Sequence, residues 1–382
     1  MDFGFSQEQE LLRQTARTFL EKECPSTFVR RMMDDPAGTT DELWAKLAEL
    51  GWLGLIYPET SGGTGLGLVD LTVVLEEMGR VVMPGPFFST VLLGGLAVAL
   101  MGSAAQRDAW LPRIVDGRTR ATLALLEDNP RWTPSGAQLA AKPAKRGEFA
   151  LSGTKLFVPD GHEADLIVVA ARTARATKSD AAHGVSLFLV PADAPGVSRT
   201  LLPTMDQTRT LAEVTLSRVT VGEDAILGPL HAGWPSVARV LDRATVALCA
   251  EMCGGAQRVL DMTTDYAKVR VAFGRPIGAY QAVKHTCADM LVAVENAKSI
   301  TYYAAWAQDQ EAPDASLAAS MAKAYVSDAY RKVAGDGIQL HGGIGFTWEH
   351  DLHLYFKRAK SSEVTFGDAT FHRERVAQLI AL

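Results

Sequence analysis

Cysteine is scarce in this chain of 382 residues: only Cys24, Cys249, Cys253 and Cys287 occur, four in all. Their wide and irregular spacing excludes a disulfide scaffold and suits a reducing cytoplasm, where the protein is expected. Cys249 and Cys253 stand four apart on an expected helix, which invites a metal reading. No histidine or further cysteine nearby in sequence completes a ligand set, so they read as small buried side chains, and no metal is expected. Long hydrophobic runs are also missing. The longest apolar stretch, VLLGGLAVALMG from Val91, falls well short of the roughly 20 residues of a membrane span. The segment MDFGFSQEQELL has no basic start followed by an apolar run, so it does not read as a signal peptide. Excess positive charge is absent too: the net charge is -6, which leaves no footprint for nucleic acid.

What is present is ordinary globular composition, 47% hydrophobic and 21% charged, in a chain long enough for two or three domains. The first part, residues 1–120, reads as helices joined by glycine turns. Ser6 to Gln9 forms a capping-box pattern, followed at helical spacing by Leu11, Leu12, Ala16, Phe19 and Leu20. Thr39 to Glu42 repeats the signature, and Gly51 ends the helix that follows. The glycine-rich PETSGGTGLG from Pro58 lacks both the P-loop lysine and the dinucleotide-fold spacing, so it reads as a connecting turn.

Residues 121–225 change period. TLALLE, FALSG, LIVVAAR, VSLFLVP and AEVTLSRVTV are short runs, several of them β-branched, punctuated by Gly, Pro and charged residues. They predict a compact β domain. Helix returns at Pro235, and residues 226–382 read as long helices reaching Arg270, then spanning about 279–308, 317–335 and the end of the chain. The expected fold class is therefore mainly α with a central β domain.

The most informative stretch is YAKVRVAFGRPIGAYQAVKHTCADM, from Tyr266 to Met290. It puts Arg270 at a helix end, a glycine turn after it, and Gln281 at the start of the next helix. A guanidinium beside a helix N-terminus suits a diphosphate, although a helix hairpin with a surface arginine has the same spacing. The residues themselves, R-x-x-F-G-x-P-I-x-x-x-Q, resemble the signature of the acyl-CoA dehydrogenases. So do LGWLGLIYPETSGGTGLG and VLEEMGR in the first part, LSGTKLFVPDGHEADLIVVAAR and HGVSLFLVPADAPGV in the second, and QLHGGIGFTWEHDLHLYFKRAK in the third. The resemblance covers nearly the whole chain.

It implies two helical domains flanking a β-barrel-like domain, a tetramer, and FAD lying between subunits. Arg270, Phe273 and Gln281 match contacts to the FAD diphosphate and adenine. Gln339, Gly342 and Gly343 match residues that meet the cofactor from a neighbouring subunit, and Phe157 matches the tryptophan against the flavin ring. The implied reaction is α,β-dehydrogenation of an acyl-CoA thioester: a carboxylate removes the α-proton while hydride leaves the β-carbon for flavin N5. The implied electron acceptor is an electron-transfer flavoprotein.

The chain departs from the family pattern where the chemistry happens. The glutamate of the usual E-G-T motif is Phe366, followed by Gly367 and Asp368. The alternative base position, in D-x-E-R, reads Asp242, Arg243, Ala244, Thr245. Two carboxylates remain as candidate bases: Asp368 in the C-terminal loop, against the reading of a helix cap, and Glu251 on an apolar helix stripe, against the reading of an arginine partner. The ring-contacting T-E-P and W-I-T motifs read Leu126-Glu127-Asp128 and Phe157-Val158-Pro159, removing two side-chain donors. Three assemblies are therefore open. The first is a diverged homotetramer using Asp368, with backbone groups replacing the lost donors, and it stands slightly ahead. The second is a heterotetramer with a paralogous chain that completes the site, this chain being as little as a non-catalytic partner. The third is a desulfinase-like relative that keeps flavin but lacks the base.

Overall fold

The computed structural model describes residues 4–145, 147–177 and 180–382; the first three residues of MDFGFSQEQELL lie outside them. The order of elements is helical, β, helical, as expected from the change of period. Helices α1 (Gln7–Glu23), α2 (Ser26–Met33), α3 (Asp41–Glu49) and α4 (Leu68–Arg80) come first. A π-helical turn, Ser89–Gly95, runs into α5 (Leu96–Met101), and α6 (Ala104–Val115) follows. Strands β1 (Ala121–Ala124), β2 (Ala140–Pro143), β3 (Glu148–Pro159) and β4 (Leu166–Arg172) lead to β5 (Val185–Pro191), β6 (Val197–Leu202), β7 (Leu211–Gly222) and β8 (Ile226–Leu227). After these come α7 (Trp234–Val269), the short strands β9 (Val271–Ala272) and β10 (Arg275–Pro276), α8 (Gln281–Asp309), α9 (Ala315–His341), α10 (Leu352–Val364) and α11 (Ala369–Leu379).

These elements form two compact units. One contains residues 1–31, 67–83 and 245–382; the other contains residues 32–66 and 84–244. In the second unit the strands make one sheet in the order β6-β7-β3-β2-β4-β5-β8, with β1 paired parallel to β4. Its core is the inward set Leu151, Val169, Phe188, Val190, Val214 and Leu216. The residue alternation that predicts five strands misses β2, β6 and the two-residue β8. Strand β6 has no buried residue, so it carries no hydrophobic period and is held at the sheet edge by its ladder to β7.

Several local signals hold at the helix ends. Ser6 caps α1 with a full capping box through Gln9. At α3 the cap is Thr40, one residue later than the sequence signature suggests; its hydroxyl accepts from the Leu43 N–H, and Thr39 is buried instead. Helix α9 runs on through Gly335 to His341, beyond the expected end. Gly337 sits inside it because a Cβ there would come within 2.6 Å of the Val259 methyl on α7.

The first unit is organised by a close crossing of α4 and α7. A Cβ on Gly79 would lie 1.9 Å from the Glu251 carbonyl oxygen, and one on Gly254 would lie 1.8 Å from that of Glu76. Two glycines thus let the helix backbones touch directly. Helix α4 begins at Gly67, which has no capping side chain; Asp309 at the end of α8 caps it, accepting from Leu68 N–H at 2.8 Å and Val69 N–H at 2.9 Å. The side chains that flank the crossing are charged and buried: Glu77 receives a bidentate pair from Arg17 at 2.7 and 3.0 Å. Burial pushes the Glu76 carboxyl up to about 7, against a hydrogen bond from Tyr302. Replacing Gly79 by Ala is expected to destabilise the protein by roughly 1–3 kcal/mol or more through overpacking, read as a shift in the chemical-denaturation midpoint, while Gly335→Ala, where nothing lies within 4 Å, has little such effect.

Candidate active site

Sequence reasoning gathers one group of candidate residues at the end of α7. Helix α7 stops at Val269, and a two-residue hairpin follows in which Ala272 pairs with Arg275. Its turn residues, Phe273 with φ 52° and Gly274 with φ 81°, are both left-handed, as a tight primed turn demands. A phenylalanine there is strained, and its ring is 96% exposed. The Arg270 carbonyl accepts from Ile277 N–H at 2.8 Å, closing the base of the hairpin, and Gln281 opens α8 just beyond. Tyr280 braces the loop: its hydroxyl donates to the Ala272 carbonyl at 3.0 Å, and the Arg275 guanidinium stacks over its ring at 4.3 Å. Arg270 and Gln281 are left exposed beside the N-terminus of α8, where backbone N–H groups favour an anion.

A second group lies at the end of α9. Gln339 is exposed in the last turn, and its carbonyl accepts the Gly342 N–H. Gly342 has φ 63° and ψ -140°, a backbone region open in practice only to glycine. Among the described residues, nothing beyond the adjacent residues of the chain lies within 4 Å of a Cβ built on Gly342 or Gly343, whereas one on Gly345 would strike the Ile338 carbonyl oxygen at 2.9 Å. Gly345 is a packing glycine; the other two face open space, where a group from outside the chain can approach the backbone. Tyr266 on α7 stacks on His341 at 4.3 Å, tying the turn that precedes Arg270 to the turn that carries Gln339.

The residues expected at the flavin ring lie in the β-containing unit. Phe157, with φ 54°, is half exposed at a bulge of β3 against β7 between Lys155 and Val158. Leu126 is buried, and its carbonyl accepts from Leu156 N–H at 2.9 Å; the Pro159 carbonyl accepts from the Thr122 hydroxyl at 2.6 Å. Both carbonyls are therefore committed inside the unit. Between them stands a pair that sequence reasoning did not single out. Glu127 accepts from Gln138 N–H and Leu139 N–H, each at 2.8 Å, and from the Lys155 ammonium at 2.7 Å. Lys155 is fully buried, and burial lowers it to about 8 even beside Glu127. A groove of about 610 Å³, lined in part by Glu127, Asp128, Gln138 and Thr154, opens next to this pair.

Neither candidate base is uncommitted. Asp368 is exposed and is the N-cap of α11, its Oδ1 accepting from Phe371 N–H at 2.8 Å. Glu251 is 5% exposed and ion-paired with Arg358 of α10, whose guanidinium is itself buried. The two positions that the sequence reading matched to the family base hold buried apolar side chains, Phe366 at 4% exposure and Ala244 at 0%.

Comparison with known proteins decides the family. The chain matches the acyl-CoA dehydrogenase N-terminal domain over residues 6–118, the middle domain over residues 126–219 and the C-terminal domain over residues 231–381. This chain belongs to the acyl-CoA dehydrogenase family. It is 34% identical to acyl-CoA dehydrogenase IpdE2 of Mycolicibacterium smegmatis over 98% of this chain and 99% of that protein. Among solved structures it is similar to the Tcur3481-Tcur3483 steroid ACAD, with a TM-score of 0.86 and 35% identity, 98% of each chain being covered. The ChsE4-ChsE5 complex from Mycobacterium tuberculosis gives a TM-score of 0.89 and 29% identity, covering 100% of this chain and 99% of that one. The protein is thus an acyl-CoA dehydrogenase, an oxidoreductase of a flavoprotein family. Within the described residues no helix is long and apolar enough to cross a membrane.

In this acyl-CoA dehydrogenase Arg358 has no precedent in the sequence reading, because its partner Glu251 lies 107 residues away. Replacing Arg358 by Met is expected to cost about 3–5 kcal/mol, since it strands a buried carboxylate. Adding Glu251→Leu should recover most of that loss, as read by denaturation of the single and double variants.

Proposed function

We propose that this chain performs FAD-dependent α,β-dehydrogenation of an acyl-CoA only within a mixed assembly, with a paralogous chain completing each site. The observation that carries the reading is the state of the carboxylates: Asp368 caps α11, Glu251 is paired with Arg358, and Phe366 and Ala244 occupy the base positions. A proton must leave the α-carbon before or as hydride leaves the β-carbon, and this chain holds no free acceptor for it at either family position. The glycines at the end of α9 and the exposed Arg270–Gln281 hairpin support the other half of the reading. Arg270 would hold the diphosphate with a charge-assisted bond, Gln281 and Gln339 would supply amide contacts, and Gly342 and Gly343 would let backbone N–H groups approach. Phe273 and Phe157 would cover apolar parts of the cofactor. Bound FAD supplies the hydride acceptor, and an electron-transfer flavoprotein is the acceptor for its electrons in turn.

The choice over a diverged homotetramer rests on two supports. Asp368 would have to leave its cap to act as base. Two of the similar structures are named for pairs of chains, Tcur3481-Tcur3483 and ChsE4-ChsE5. By the same analogy a steroid-derived acyl-CoA is the substrate class.

Expressed alone, the chain is expected to show little or no reduction by acyl-CoA, and co-expression with its paralogue should restore turnover with fewer than one FAD per chain. One FAD per chain with substrate-dependent bleaching of the chain alone would reject the mixed assembly. Arg270→Ala should weaken flavin retention about tenfold or more, from the loss of roughly 1.5–3 kcal/mol; a variant that keeps its full flavin content through gel filtration would remove Arg270 from the site.

A further inference from the structure

The turn after α10 is strained and held from several sides at once. Phe366 has φ 62° and Gly367 has φ 106°, two consecutive left-handed residues, the first of them bulky. Such a conformation persists only where the surroundings enforce it. Three contacts do so here: two donors hold successive carbonyls, and a carboxylate caps the helix that follows. The His372 Nε2 lies 3.1 Å from the Phe366 carbonyl oxygen. The Lys323 ammonium donates to the Gly367 carbonyl at 3.1 Å. The Asp368 carboxylate accepts from Phe371 N–H at 2.8 Å and starts α11.

Lys323 does more than hold one carbonyl. Projecting from α9 with no exposure to solvent, it also donates to the Ser362 and Glu363 carbonyls and to the Ser327 hydroxyl, each at 2.9 Å. It therefore closes the C-terminus of α10, whose last carbonyls lack helical partners, and welds that end to the turn. Burial lowers Lys323 to about 8, so it remains mostly charged at neutral pH, when its donors are strongest. His372 is lowered to about 3 by burial and by the nearby Lys323 and Arg375, so it is neutral there. Since its Nδ1 has no partner among the described residues, the proton sits on Nε2 and is donated to Phe366. A buried lysine is costly to keep, and nothing in the proposed chemistry uses its charge.

We propose that Lys323 and His372 are positioning residues that lock the turn at 364–368, so that the side chain at residue 366 has one fixed direction and the chain keeps an assembled seat for a base it does not carry. This rests on the reading of Phe366 as the family base position. Its consequence is that a single substitution, Phe366→Glu, gives a working base. The carboxylate would take the α-proton of the thioester, the new O–H bond forming as the C–H bond breaks and the electron pair passing into the enolate.

The lock is tested by backbone hydrogen exchange on the protein as purified. Lys323→Met should speed exchange of the Gly367, Phe371 and His372 amides at least tenfold, with α1 and α8 unchanged. His372→Leu should loosen the same amides, and His372→Gln, which keeps a donor near the Nε2 position, should restore protection; this pair decides the matter if Lys323→Met does not fold. Unchanged exchange in folded Lys323→Met or in His372→Leu overturns the proposal. The seat is tested on flavin-loaded Phe366→Glu by wash-in of solvent deuterium at the α-carbon of a steroid side-chain acyl-CoA, expected at least a hundredfold above wild type and abolished when Lys323→Met is added. If the amides loosen as expected but Phe366→Glu promotes no wash-in, the lock stands and the assignment of residue 366 falls.

Discussion

The contact on which the helical unit depends is the backbone-to-backbone crossing of α4 and α7 at Gly79 and Gly254. Helices this close leave no room for apolar side chains between them, and neighbouring residues are carried inward whatever their polarity. Glu76, Glu77 and Glu251 are all drawn in this way to 5% exposure or less. A buried carboxylate needs a partner, and the unit meets that need with arginines from other elements: Arg17 for Glu77 and Arg358 for Glu251. Arg13 reaches Glu76 only at 3.8 Å, and that carboxyl is the one raised towards neutrality. The ion pairs are thus a consequence of the crossing, and they remove Glu251 from the list of groups free to act on a substrate.

What survives in the site is scaffold. Glu127 and Lys155 knit the start of the β unit together, with Leu126 buried beside them. The turn at Phe366 is still clamped by Lys323, although its side chain is apolar. Arg270, Gln281, Gly342 and Gly343 still present an exposed charge, an amide and open backbone. On the proposed reading, the residues that hold shape are in place while those that would exchange a proton or donate to a flavin ring are not, which suits a chain whose chemistry is completed by another subunit.

Much of this was legible in the sequence, for physical reasons that can be named. Helices with caps and a 3.6-residue period declared themselves, as Ser6 and Gln9 did for α1. Strands buried on at least one face did likewise, as LIVVAAR did for β4. The edge strand β6 did not, because it buries no residue and so has no period. The motif around Arg270 located the hairpin, yet the strained geometry of Phe273 follows from a two-residue turn that only the pairing of Ala272 with Arg275 reveals. The caution attached to Asp368 and Glu251, a helix cap and an arginine partner, corresponds to the contacts each of them makes.

By itself the sequence determined the helical–β–helical order and the family, because these depend on local period and residue identity. Tertiary structure alone decided which charges are neutralised by which. Arg358 meets Glu251 across 107 residues of chain, and Asp309 caps a helix that starts 241 residues before it. Lys323 meets the Ser362, Glu363 and Gly367 carbonyls only because the C-terminus of α10 folds back over it. Each of these pairings joins distant segments, so no spacing or propensity in the chain encodes it; it exists only once burial removes water and leaves the two groups as each other's best partner.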